Sequence, residues 1–126
     1  MEHHPALRGC SILVVEDEPL IALDIVTALE EAGAHTTTTT TVRHALILVE
    51  HDGLSAAIMD HALGDGDSRQ LCARLKARGI PYVSYRGFGP VEGASETSLH
   101  ISKPVAMDVL MSAVEGLLAG RPPRLS

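Results

Sequence analysis

Five short strand-like runs, most of them apolar, alternate along the chain with longer stretches in which apolar residues recur every three or four positions. A short continuous apolar run bounded by turn residues is typical of a strand buried in a parallel sheet. The second run leads into six successive threonines, which are β-branched and suit a pleated strand. The pattern therefore predicts five strands, at residues 11–16, 34–39, 54–60, 80–86 and 99–102.

The stretches between these runs predict helices. In the first stretch, Ile21, Ile25 and Leu29 fall on one helical face. Pro19 suits the first turn of this helix, and Gly33 suits the position just after its end. Further helices are expected to begin after Thr41, after a cap at Asp67 or Ser68, within the glycine-rich segment 87–98, and at Pro104. Because glycine weakens helices, the helix within 87–98 is expected to be short or frayed.

Strands that alternate with helices form βαβ units, and such units build a parallel sheet with helices on both faces. Right-handed crossovers restrict the topologies that are open to such a sheet. The chain shows neither an internal repeat nor a linker. The sequence therefore predicts an α/β protein in which a single domain fills residues 1–126, with its core at about 10–120.

Composition and charge narrow the class of protein. Only two Tyr, one Phe and no Trp occur, so the core must be aliphatic. The net charge of -6 and the scattered basic residues argue against a nucleic-acid-binding protein. Two cysteines are too few for a disulfide framework and are expected to be buried thiols. With no signal-peptide pattern and no apolar run long enough to span a bilayer, we expect a cytoplasmic protein without membrane contact.

Acidic residues end two of the apolar runs, and a lysine ends a third. Glu16 and Asp17 close the first run, Asp60 closes the third, and Lys103 follows the fifth, just before Pro104. Because the carboxyl ends of parallel strands meet at one edge, these side chains are expected to converge. Mg²⁺ prefers carboxylate and water oxygens, and an aspartate can accept a phosphoryl group as a nucleophile.

Each of these features is weak alone, because an acid at a strand end is often a helix cap. Their conjunction is far more specific. We therefore predict that Asp17 and Asp60 bind Mg²⁺ directly and that Glu16 acts through water. Lys103 would supply a fixed positive charge to the phosphoryl oxygens.

With these residues in place, the chain resembles, over essentially its whole length, the receiver domains of bacterial two-component response regulators. The matching segments are Ile12–Pro19, Met59–Gly66, Gly79–Pro81 and Lys103-Pro104. The resemblance implies a flavodoxin-like fold, a three-layer α/β/α sandwich with strand order 2-1-3-4-5. It also implies that Asp60 accepts phosphate from a sensor histidine kinase or a phosphotransfer protein. The backbone carbonyl of Ala62 would then be a further magnesium ligand.

Two positions depart from the family pattern and are the expected switch positions. Arg86 stands where the family has a Thr or Ser that binds the phosphoryl group, and His100 stands where it usually has an aromatic residue. Arg86 either leans into solvent or pairs with Asp60 or its phosphate and competes with magnesium. His100 is either a titratable switch or a structural histidine. Ser84, one pleat before Arg86, is a poor substitute for the missing hydroxyl.

The resemblance predicts a stand-alone signalling protein and not a turnover enzyme. Its signal would leave through the face formed by the fourth predicted helix, the fifth strand and the last helix, which could also form a homodimer. The main alternative is a receiver-like interaction module that does not depend on phosphorylation, since both switch-type residues are replaced. A phosphatase or other hydrolase ranks last, because Ala62 stands where a second acid would be needed.

Overall fold

A computed structural model describes residues 7–60, 68–86, 98–102 and 107–119. In chain order these residues form β1 Ser11–Val15, α1 Pro19–Glu31, β2 His35–Thr39, α2 Val42–Leu48, β3 Ala56–Asp60, α3 Ser68–Ala77, β4 Tyr82–Arg86, β5 Ser98–Ser102 and α4 Met107–Ala119. The segment 87–97, which covers most of the predicted fourth helix, and the expected helix start at Pro104 lie outside the described residues.

The five strands form one parallel sheet in the order β2-β1-β3-β4-β5. The register places Val14 opposite Ile58, and Ile58 opposite Val83. This is the predicted strand order, and it puts β1 and β3 side by side in the interior of the sheet. Their carboxyl ends therefore meet at one edge.

The pleat of the strands divides the core into two layers, because successive side chains point to opposite faces of the sheet. One layer packs the sheet against α1 and α4, and the other packs it against α2 and α3. The first contains Ile12, Val14, Ile25, Leu29, Ile58, Val83, Leu110 and Val114. The second contains Leu13, Val15, Val42, Ala45, Met59, Leu71, Leu75 and Tyr82, and the buried Tyr82 shows that the core is not wholly aliphatic as predicted. The predicted three-layer architecture is thus confirmed.

The helix ends follow the predicted signals. Gly33, just after α1, has φ 91, a left-handed conformation that only glycine adopts without strain. The Thr41 side chain accepts a hydrogen bond from the backbone N–H of His44 at 3.1 Å and so caps α2. Among the described residues, no helix is long and apolar enough to cross a bilayer.

Some predicted boundaries differ from the structure. β1 ends at Val15, so Glu16 lies just beyond it. β4 begins at Tyr82 and not at residue 80, because Pro81 has no N–H to donate, although its carbonyl accepts from Ala57 at 3.0 Å. Of the two cysteines, Cys72 is buried as expected, whereas Cys10 is only half-buried.

Candidate metal centre

Three carboxylates meet where β1 and β3 end. Val15 pairs with Met59 in the sheet register, so the residues that follow them, Glu16 and Asp60, lie side by side. Asp17 follows Glu16 in the loop that leads into α1. One carboxylate oxygen from each of Glu16, Asp17 and Asp60 lies within 4.8 Å of the others. The predicted convergence of these three acids is therefore present in the structure.

The three acids differ in their contact with water. Glu16 is 1% exposed and Asp60 is 3% exposed, whereas Asp17 is open to solvent. The backbone N–H of Glu16 donates to the carbonyl of Thr39 at 3.0 Å. The Oε2 atom of Glu16 accepts from the backbone N–H of Glu18, also at 3.0 Å. Glu16 is thus held at both its backbone and its carboxylate, while the exposed side of Asp17 leaves the cluster accessible from solvent.

The chemistry of this donor set fits a small divalent cation. Burying carboxylates close together is costly unless a positive charge compensates them. Mg²⁺ takes oxygen ligands and is usually held by one or two carboxylates together with waters. A solvent-accessible cluster of three acids, two of them buried, offers the oxygen ligands that such a cation takes.

The sheet register also places the two predicted switch positions, Arg86 and His100. Asp60 lies opposite Tyr85, so Arg86 follows one residue further along β4, towards the same edge as the acids. His100 lies in β5, opposite Ser84. Ser84 is fully buried and pairs with Met59, the residue before Asp60. Lys103 and Ala62 lie outside the described residues.

Sequence reasoning missed the hydrogen-bonded support of Glu16 by Thr39. Thr39 is one of six identical residues in a row, and nothing in the sequence distinguishes it from its neighbours. Its position becomes clear only from the register, in which it pairs with Val15 at the end of β1.

No protein family model matches the chain. The chain is 30% identical over 120 residues to the transcriptional regulatory protein TcrA of Mycobacterium tuberculosis, an alignment that covers 88% of this chain and 47% of that protein. The chain thus spans about half the length of the curated relatives it matches.

Solved structures are also similar to the chain over most of its length. SdrG from Sphingomonas melonis Fr1 is 36% identical, with a TM-score of 0.70, over 87% of this chain and 97% of its own. The signal receiver domain of a signal transduction histidine kinase from Syntrophus aciditrophicus is 27% identical, with a TM-score of 0.78. The match covers 94% of this chain and 98% of that domain.

A third structure shows a similar fold at lower identity. This is the receiver domain of the sensor histidine kinase PA1611 from Pseudomonas aeruginosa PAO1, in which a magnesium ion is coordinated in the active site cleft. It is 21% identical, with a TM-score of 0.75, and the match covers 89% of this chain and 99% of that domain. With the sheet order and the acidic site described above, these similarities show that the chain belongs to the receiver domains of two-component response regulators.

Proposed function

We propose that Asp60 is a phosphoacceptor that receives a phosphoryl group, in the presence of Mg²⁺, from the phosphohistidine of a sensor kinase or phosphotransfer protein. The observation that carries this proposal is the approach of Glu16, Asp17 and Asp60 to within 4.8 Å at the carboxyl edge of the sheet. Two other observations support it. The chain belongs to the receiver family, and the PA1611 receiver holds magnesium in its cleft.

The chain's own residues divide the work of the transfer. A carboxylate oxygen of Asp60 attacks the phosphorus, the phosphorus–nitrogen bond of the donor breaks, and the imidazole nitrogen leaves with the bonding electrons and takes up a proton. Asp17 and Asp60, with the Ala62 carbonyl, would hold the metal, and Glu16 would act through water. Magnesium, when bound, supplies positive charge to the phosphoryl oxygens. Lys103 would contribute a further positive charge.

The donor protein has an apolar surface to contact beside this site. Leu20 and Leu23, in the first turns of α1, are 72% and 60% exposed, and α1 begins two residues after Asp17. Large apolar side chains that remain this exposed next to a functional site are typical of a protein contact. We propose that they pack against the phosphodonor while its phosphohistidine reaches Asp60.

Phosphorylation would act as a two-state population shift. The signal would leave by protein contact through the predicted fourth helix, β5 and α4, and a second copy of the chain is one candidate occupant of that face. Arg86 and His100 would modify this switch, because they replace the residues that the family uses there. In this proposal the chain is a cytoplasmic signalling protein and not a turnover enzyme.

Incubation with acetyl phosphate and Mg²⁺ tests the phosphoacceptor directly. Intact-mass measurement should show one added phosphoryl group on the wild-type chain, and chelation of the metal should prevent it. Asp60→Asn should take up none, whereas Asp24→Asn, which changes an exposed aspartate on α1, should behave as the wild type. A wild-type chain that stays unlabelled would favour the phosphorylation-independent module instead.

A further inference from the structure

We infer that Thr39 is a positioning residue for the metal centre and that His44 fixes it in place. The inference rests on the proposed function only in taking the acidic cluster as a magnesium site. Thr39 is 6% exposed and is the last residue of β2, the strand that lies beside β1. Its backbone carbonyl accepts from the N–H of Glu16, so it would act on the cluster through the backbone.

The backbone of Thr39 holds the first acid of the cluster. Its carbonyl accepts the hydrogen bond from the N–H of Glu16 at 3.0 Å, one residue beyond the end of β1. Glu16 then turns its carboxylate back onto the N–H of Glu18 at 3.0 Å. This second bond closes the loop that contains Asp17. The position of the Thr39 carbonyl therefore sets where the acidic loop leaves the sheet.

The side chain of Thr39 is fixed independently by α2. Its Oγ1 lies 2.9 Å from Nδ1 of His44 and accepts a weaker bond from the N–H of Thr41 at 3.4 Å. His44 is itself held, because its backbone N–H donates to the Thr41 cap at 3.1 Å. One residue thus joins the start of α2 to the acidic loop, with its hydroxyl bonded to the helix and its carbonyl bonded to Glu16.

Outer partners of this kind orient metal ligands, and their loss weakens metal binding even though they never touch the ion. Without the hydroxyl, the end of β2 is no longer tied to α2, and the Thr39 carbonyl can shift together with Glu16. Since the centre requires three carboxylates at close range, a small displacement of the loop changes its geometry. We expect loss of the Thr39 hydroxyl to change the free energy of magnesium binding more than the free energy of unfolding.

Two substitutions at residue 39 separate the effect of the hydroxyl group from the effect of side-chain volume. Thr39→Val keeps the volume and removes the hydrogen bonds, whereas Thr39→Ser keeps the hydroxyl and removes a methyl group. A magnesium titration followed by amide NMR signals should show affinity weakened about tenfold in Thr39→Val and close to that of wild type in Thr39→Ser. Thr38→Val is the matched control, because Thr38 is the exposed neighbour in the same strand. It should bind as the wild type does.

Substitution of His44 tests the hydrogen bond between His44 and Thr39 from its other partner. His44 is exposed, so its substitution should disturb the fold little. His44→Ala should weaken magnesium binding in the same direction as Thr39→Val. His44→Asn should restore most of it, because a carboxamide atom can occupy the place of Nδ1. Equal affinity in wild type and Thr39→Val, or equal losses in Thr39→Ser and Thr39→Val, would overturn the inference.

Amide hydrogen exchange without metal separates this inference from the proposed function. The Glu18 amide should exchange faster in Thr39→Val than in wild type, since it bonds to the Glu16 carboxylate. Unchanged exchange would overturn the positioning role. A wild-type chain that does not respond to magnesium would overturn the proposed function, and the exchange rates would still decide the role of Thr39.

Discussion

Asp60 carries its carboxylate on a side chain that is 3% exposed, next to a second acid, Glu16, that is 1% exposed. Two carboxylates buried this close together call for a compensating positive charge. The folded chain thus keeps these groups in an arrangement that a cation stabilises. A site organised in this way before the metal arrives loses little free energy to rearrangement when the metal binds.

Replacement of Arg86 tests whether its guanidinium competes with magnesium for Asp60. Arg86 ends β4, the strand that pairs with β3, and so lies one residue beyond the position opposite Asp60. If its guanidinium competes for Asp60, then Arg86→Thr should bind magnesium more tightly than the wild type and should also accept phosphate faster from acetyl phosphate. Calorimetric titration with MgCl₂ gives the affinity.

A matched variant is needed, because loss of any positive charge changes attraction for a cation. Arg43→Thr removes the same charge from the exposed surface of α2, near the same edge of the sheet. Only an effect larger than that of Arg43→Thr supports direct competition. Identical magnesium affinities in the wild type and Arg86→Thr would show that Arg86 does not compete for Asp60.

Individual residues of the metal centre could be predicted from the sequence where both the residue type and its place in the hydrophobic pattern were distinctive. Glu16, Asp17 and Asp60 could be predicted because each ends an apolar run, and adjacent parallel strands bring such ends together. Thr39 could not, since which of six threonines lies beside Glu16 depends on a register that no local pattern encodes.

Ion pairs join the end of α3 to the segment that follows α2, at the amino edge of the sheet and away from the metal centre. Nη2 of Arg74 lies 2.6 Å from Oε1 of Glu50, and Nε of Arg74 contacts its other oxygen. Nη2 of Arg78 lies 2.9 Å from Oδ1 of Asp52. Both arginines thus bind acids that lie 24 and 26 residues away in the sequence.

This ion pair makes a prediction about acid stability. The hydrogen bond from Arg74, reinforced by its charge, lowers the pKa of the Glu50 carboxyl below its ordinary value of 4.5. A carboxyl whose pKa is lowered by folding stabilises the folded state above the unfolded value, and this contribution is lost as the pH falls through the folded pKa. The advantage of wild type over Glu50→Gln should therefore be present near neutral pH and decrease as the pH falls below 4.5 and through the lowered pKa of folded Glu50.

Urea unfolding across this pH range gives the comparison. Both residues are exposed, so the difference should be small and should shrink with added salt. Glu31→Gln, at an exposed position at the end of α1, is the control and should show no such trend. An advantage over Glu50→Gln that persists undiminished in acid would contradict the role assigned to the ion pair.

The exposed leucines of α1 make a prediction about partner choice. Leu20→Ala combined with Leu23→Ala removes apolar contact surface and keeps a residue that favours helix, so the fold should be unaffected. Transfer from any histidine kinase that labels the wild-type chain should slow about tenfold or more, while labelling by acetyl phosphate should not change. Ile47→Ala, which truncates a 58% exposed side chain on α2, should leave both rates unchanged.

For the whole molecule, the two core layers make β3 the shared support of the site. Ile58 packs into the layer with α1 and α4, its neighbour Met59 packs into the layer with α2 and α3, and Asp60 follows directly. The fold class and strand order were predictable because the alternation of runs and helices extends along the whole chain. The starts of β3 and β4 were less so, since strands begin where pairing begins and not where apolar residues begin.

The last prediction concerns the stability of the entire fold. Asp17 and Asp60 are far apart in the sequence and come together only in the folded chain, so magnesium should bind that state alone. Binding of this kind stabilises by about 2.7 kcal/mol at a hundredfold excess over Kd, which raises the melting temperature of a domain of this size by roughly 10 °C. Thermal unfolding with and without MgCl₂ should show this rise in the wild type and in Asp24→Asn. The rise should be largely lost in Asp60→Asn and Asp17→Asn, and an equal rise in all four proteins would show that magnesium binds elsewhere.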